Sequence, residues 1–284
     1  MRVFRTTLLL VALTLLLMFV GKALAGPSGM TLGLGFAVIM NAVAYFFSDK
    51  IALMSSGAKP VTREQLPRLY AVMERLSAKA NLPLPKLYIV PEAAPNAFAT
   101  GRNPRHASVA VTQGLLELMN DDELEGVIAH ELSHVRNYDI LISSVAATLA
   151  GAITWIAHWR PWLGGGDDDR ERGGGGILGL LMFFLAPLAA FLLQLGLSRQ
   201  REYSADETGA RMVGNPYGLI SALEKLGAYN KRIPTTSITP STSSLCIVKP
   251  LFGGGGSLAT LLSTHPALPD RISRLRQMTI VPHR

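Results

Sequence analysis

Cysteine is almost absent from this chain: Cys246 stands alone among 284 residues. That excludes an intramolecular disulfide framework and suits a reducing compartment. Charge is also scarce, at 17% of residues, against a hydrophobic share of 49%. An ordinary soluble domain carries more charge and less apolar surface. Acidic residues are the rarer sign, 20 against 27 basic, for a formal net charge of +7. The surplus cations flank apolar runs, so they read as membrane-flanking charges rather than a nucleic-acid surface. No internal repeat is visible. What the chain does have is long uncharged runs, and they are clustered.

The first run, Thr6 to Gly21, lies between Arg5 and Lys22. Ala23-Leu24-Ala25 behind it resembles a signal-peptidase site, so a cleaved leader is one reading and a retained span the other. A second run, Met30 to Ser48, follows closely and predicts a helical hairpin with both ends in the cytoplasm. From Val61 the pattern becomes that of a folded soluble segment. Thr62 to Gln65 can cap an amphipathic helix reaching about Ala80. Leu87–Val90 reads as a strand, and Asn96–Gly101 with Ala107–Thr112 as a hairpin. Gly114–Met119 starts a short helix. Beyond Arg136, the uncharged runs Ile140–Trp159 and Ile177–Leu197 predict a second hydrophobic hairpin; a buried core hairpin is the alternative. Between them lies a Gly-rich loop with Asp167-Asp168-Asp169, read as solvated rather than cation-binding. Helices are expected from Ser198 to about Val213, over Pro216–Tyr229 and over Asp270–Arg276, with a Thr/Ser/Pro/Gly-rich loop at 231–257.

The chemistry is concentrated in His130-Glu131-Leu132-Ser133-His134. On a helix, residues four apart share a face, with Cβ atoms roughly 6 Å apart. Two imidazoles so placed converge on one ion, and Glu131 faces the side where water would sit. This is the layout of a zinc hydrolase. Apolar residues at 124, 127, 128, 132 and 135 give the helix a packing face, against the reading of two surface histidines. Asp121 or Asp122 is the expected N-cap.

A catalytic zinc usually takes three protein ligands. No further His or Glu follows the motif closely. Glu202 and Asp206, four apart beyond the second hairpin, are the best distal pair: Glu202 to ligate, Asp206 to fix the tautomer of a ligand histidine. An ordinary solvated helix has the same spacing. An antiparallel hairpin would return Glu202 to the membrane face from which His130 emerges.

Taken together, His130 to His134, the hydrophobic hairpin and Ser198 to Asp206 resemble the HtpX membrane metalloproteases, relatives of the CAAX prenyl proteases. Asn96-Ala97-Phe98-Ala99 and Thr264-His265-Pro266 fit too. The resemblance implies an α+β, mainly helical, gluzincin-like protease domain with a small edge-exposed sheet and about four transmembrane helices. It implies a zinc endopeptidase of the bacterial inner membrane, with the site on the cytoplasmic side, degrading misfolded or damaged membrane proteins. One zinc ion per subunit would be held by His130, His134 and Glu202, with Asp206 supporting a zinc histidine and Glu131 as general base. The strand at Val109 is expected to be an edge that receives substrate, with Asn96 and Ala97 near the cleft. His265 and Arg271 are candidates for stabilising the oxyanion; helix capping and a basic surface are their plainer roles. The expected division is 1–58 (N-terminal hairpin), 59–139 (first protease part), 140–198 (second hairpin) and 199–284 (second protease part).

Two other functions use the same residues. A prenyl-protein protease shares the chemistry but needs a lipid-accommodating chamber, for which four spans are few. A scaffold with a structural metal would need a fourth protein ligand, and no cysteine lies near.

Overall fold

The computed structural model describes residues 4–158, 199–230 and 266–279. The expected loops at 162–176 and 231–257, the run at 177–197, Cys246 and His265 lie outside these residues.

The first helix, α1 (Phe4–Ser55), breaks at Ala25 and Gly26, whose backbone angles are not helical. Gly26 sits at φ +62°, a conformation that glycine adopts without steric cost. The chain folds back there, and its two limbs, Thr6–Ala23 and Ala25–Ser55, are each long and apolar enough to cross a bilayer. Small residues let the limbs touch: a Cβ at Gly21 would meet the Gly29 carbonyl at 2.1 Å, and one at Gly33 the Leu17 carbonyl at 2.4 Å. Asn41 Nδ2 bridges the limbs, donating to Thr14 Oγ1 at 2.9 Å and to the Leu10 carbonyl at 3.2 Å.

After α1 come β1 (Lys59–Pro60), α2 (Pro67–Lys79), β2 (Lys86–Val90), β3 (Ala97–Gly101) and β4 (Ala107–Thr112). Then follow α3 (Gln113–Leu118), α4 (Asp121–Asn137), α5 (Asp139–His158), α6 (Arg199–Val213), α7 (Tyr217–Asn230) and α8 (Leu268–Arg276). Helix α2 starts later than the Thr62–Gln65 signature suggests. Gln65 does reach back to the Thr62 N–H, but Pro67 fixes the first helical turn.

The sheet order is β1-β2-β4-β3, with β2 and β4 parallel and the other pairs antiparallel. This corrects the expected edge: Val109 lies on β4, fully buried between two strands, and the edge is β3. The hairpin supplies one neighbour of β4 locally. The other arrives by a crossover from β2, which hydrophobic alternation does not reveal.

Both faces of the sheet are covered, so β4 is buried along its whole length. Val109 and Val111 face Leu69, Met73 and Leu76 of α2 and Leu124, Ile128 and Leu132 of α4. Ala110 and Phe98 face Ala52 and Leu53 of α1 and Ala147 of α5. Lower down, Leu141, Val145 and Leu149 of α5 pack with Leu9, Leu13 and Ala44, tying α5 to both limbs of α1.

Helix α4 is capped by Asn120 rather than by either aspartate. Its side chain accepts from Glu123 N at 2.9 Å, and Glu123 returns a carboxylate to Asn120 N at 2.9 Å. Glu123 is buried and also accepts from Lys225 Nζ at 2.7 Å and Ser221 Oγ at 2.6 Å on α7. One carboxylate thus caps α4 and clamps α7. Burial pushes its pKa up, but the hydrogen bonds from Lys225, Ser221 and Asn120 outweigh this and hold it below the ordinary value of 4.5. A depressed carboxylate stabilises the fold above its unfolded pKa and loses that contribution as pH falls through the folded one. Glu123→Ala is therefore expected to cost about 1–3 kcal/mol at neutral pH. The deficit should shrink as pH falls below 4.5; thermal unfolding of both proteins across that range is the check.

Candidate metal centre

Helices α4 and α6 cross closely at the site. A Cβ on Gly209 would lie 3.0 Å from His130 N, so a small residue there sets the approach. Across this contact α4 presents His130, Glu131 and His134, and α6 presents Glu202 and Asp206.

Three of these side chains meet. His130 Nε2 lies 3.3 Å from His134 Nε2 and 3.6 Å from Glu202 Oε2, and His134 Nε2 lies 3.6 Å from Glu202 Oε1. Metal–ligand bonds of about 2.0–2.1 Å in a tetrahedron imply donor separations of about 3.3–3.5 Å. The donor triangle therefore has the size that a first-row divalent ion requires. Nitrogen and oxygen donors also suit such an ion chemically.

The far side of each imidazole is held by a carboxylate. His130 Nδ1 faces Asp206 Oδ1 at 2.9 Å, and His134 Nδ1 faces Asp139 Oδ2 at 3.2 Å. With Nδ1–H donated outward, both Nε2 lone pairs point into the triangle. Two lone pairs and a carboxylate at these distances repel unless a cation lies among them. Burial lowers the His130 pKa, but hydrogen bonds accepted by the Asp206 and Glu202 carboxylates override it and push it up to about 9. The surroundings thus demand positive charge at His130, and a metal at Nε2 satisfies the same demand as a proton.

Arg271 of α8 is 1% exposed. Its Nε and Nη2 donate to the two oxygens of Asp206 at 2.8 and 2.6 Å, and Nη1 lies 3.7 Å from Glu202 Oε2. Burial would lower its pKa, but Asp206 and Glu202 raise it, so it stays charged. This burial corrects the reading of Arg271 as an exposed basic residue. The guanidinium fork is taken up by Asp206, behind the histidine.

Glu131 is buried beside the same triangle. Burial raises its pKa against the pull of His130 and His134, and the Ala99 N–H donates to it. That contact follows from the sheet register. Asn96 and Thr112 exchange a backbone bond, the Asn96 carbonyl accepting from Thr112 N at 2.9 Å. Phe98 and Thr100 therefore also face β4, while Ala97 and Ala99 turn their N–H and C=O groups toward the outer side of β3, where no strand pairs among the described residues. Asn96 and Ala97 lie at the start of β3, both buried, with Asn96 N bound to Thr112 Oγ1 at 2.8 Å.

Sequence reasoning passed over Asp139 and Ala99. Nothing in the sequence separates Asp139 from the helix that carries His130 and His134. Tyr138 ends α4 instead, in the left-handed conformation at φ +62°, and redirects the chain so that Asp139 turns back to His134. No glycine or proline marks that break.

The sequence model of peptidase family M48 matches residues 63–279, a span holding every one of these side chains. The chain belongs to peptidase family M48. It is 50% identical over 276 residues to a protease HtpX homolog from Desulforapulum autotrophicum, covering 96% of this chain and 88% of that one. It is 53% identical over 275 residues to a protease HtpX homolog from Desulfatibacillum aliphaticivorans, with 95% and 88% covered. Among solved structures, S. mikatae Ste24p shares the fold, with a TM-score of 0.51 at 19% identity. That match covers 93% of this chain and 62% of the Ste24p chain. This M48 member is a membrane metalloprotease, mostly helical with a small mixed sheet.

Proposed function

We propose that the chain is a zinc-dependent endopeptidase that cleaves unfolded or damaged membrane proteins at the cytoplasmic face of the bacterial inner membrane. The observation that carries this is the triangle of His130, His134 and Glu202 beside a buried Glu131 and a terminal strand, β3, with no strand partner on its outer side among the described residues. The reading takes α5 as a third span, with the run at 177–197 as the fourth. It also keeps the division at residues 58, 139 and 198.

In this reading His130, His134 and Glu202 hold one zinc ion. When bound, zinc supplies a Lewis acid for the scissile carbonyl and acidifies water. Glu131 takes the proton of the attacking water and passes it to the leaving amine. Its burial favours the protonated state that this hand-over needs. The backbone of Ala97 and the carbonyl of Ala99 offer hydrogen-bonding groups to an extended substrate, which adds as a strand beside β3. Asn96 holds the start of that strand to Thr112. Recognition through backbone requires an unfolded segment and tolerates many side chains, which suits removal of damaged proteins.

Asp206 and Arg271 act behind the metal as positioning residues. Asp206→Asn keeps the shape but drops the charge that fixes the His130 tautomer. It is expected to weaken metal affinity by roughly 10–100-fold. Leaving Arg271 buried with a weakened partner should cost about 3–5 kcal/mol of stability. Chelator competition and thermal unfolding measure the two effects separately.

The substrate class is tested by incubating the purified full chain with an unfolded membrane protein and with a prenylated peptide. Cleavage of the first and not the second is expected. Preference for the prenylated peptide would make the chain a processing protease instead.

A further inference from the structure

The turn joining β3 to β4 carries charge that the protease site does not use. Arg102 is half-buried, and Arg105 and His106 are exposed. Among the described residues, neither arginine has a carboxylate partner. The turn is also rigid. Gly101 sits at φ +136°, where a Cβ would meet the His106 carbonyl at 2.2 Å. The Asn103 side chain accepts from His106 N at 3.1 Å and lies 3.0 Å from its ring Nδ1. At its base, Thr100 Oγ1 lies 2.7 Å from Ser144 Oγ on α5.

This turn lies against the second limb of α1. Arg102 sits 5.8 Å from the centre of the Phe46 ring, and Lys50 Nζ sits 5.5 Å from that of Phe47. Both rings are about half exposed. No charged residue occurs between Lys22 and Asp49. The limb from Ala25 to Ser55 has 31 residues. At 1.5 Å per residue it is about 46 Å long, against about 30 Å of hydrocarbon. A membrane boundary at the Ala25–Gly26 turn puts the other boundary about 20 residues on, at Phe46 and Phe47. Aromatic rings belong at that level, with cations just above them. Asp49 offsets part of the charge there.

We infer that Arg102, Arg105 and Lys50 form a binding site for the phosphate of an anionic phospholipid headgroup, next to the edge strand that receives substrate. Two arginines on a rigid turn offer several N–H donors to one phosphate. The inner-face leaflet of a membrane is the anionic one. A headgroup bound there would pin the β3–β4 hairpin, and with it the cleft, at a fixed depth. The inference rests on the reading that α1 spans the bilayer.

The test uses the full chain in detergent micelles holding equal phosphatidylcholine and phosphatidylglycerol, with retained lipid identified by native mass spectrometry. The wild type is expected to retain phosphatidylglycerol preferentially. R102Q/R105Q should lose that preference by about fivefold per cation, on the order of 25-fold together. R75Q/K79Q removes the same charge from α2, on the other face of the sheet, and should keep it. An unchanged preference in R102Q/R105Q, or an equal loss in R75Q/K79Q, overturns the site. Displacement of the lipid by inorganic phosphate would point to a free-anion pocket and also overturn it. Flotation with phosphatidylcholine vesicles tests the span separately: both proteins should float, and a wild type that does not float removes the span and this site together.

Discussion

Glu131→Gln is expected to keep its metal and to lose peptide hydrolysis by roughly 10²–10⁴-fold, the usual worth of a positioned general base. That is about 3–5 kcal/mol of the barrier. The reason is geometric. Glu131 is not part of the donor triangle, so an amide of the same shape leaves His130, His134 and Glu202 where they are. The same amide still accepts from the Ala99 N–H. What it cannot do is take and return a proton. The loss should therefore appear in kcat with little change in KM. Near-normal hydrolysis by a clean preparation of this variant would remove Glu131 from the mechanism.

The second large effect is Glu202→Ala. This carboxylate is the only donor of the triangle supplied by α6, and it lies 3.6 Å from each ligand-side imidazole nitrogen. Without it two imidazoles remain, and metal affinity should fall by more than the roughly 10–100-fold that loss of an outer partner costs. Activity should fall with metal content. Glu202→Gln, which keeps the volume, guards against a simple packing defect: it should fold and still bind metal poorly. Full metal occupancy in both variants would dismiss Glu202 as a ligand.

Local features were legible in the sequence, and non-local ones were much less so. Helix α4 could be read because its apolar positions and two histidines share one period. The β3–β4 hairpin could be read because both strands and the turn are contiguous. The inner position of β4 could not, since its parallel pairing with β2 is fixed by a crossover rather than by any local pattern. The break at Tyr138 was hidden because a tyrosine in the left-handed region carries no compositional mark, and Asp139 was missed with it. Arg271 lies among Asp270, Arg274 and Arg276 in sequence, a pattern that reads as a solvated charged helix, so its burial is not legible there. Only the approach of α8 to α6 shows that its charge belongs to Asp206. Ala99 was hidden for a different reason: its part is played by backbone, and only the register shows which way its N–H points.

The central claim is a single metal held between α4 and α6 by two imidazoles and a carboxylate. X-ray absorption at the zinc edge, on the detergent-purified full chain, tests it most directly. The account predicts one zinc ion per chain with two imidazole nitrogens, oxygen for the remaining donors and no sulfur. A sulfur donor, a closed shell with a fourth protein ligand, or an active preparation without zinc would contradict it.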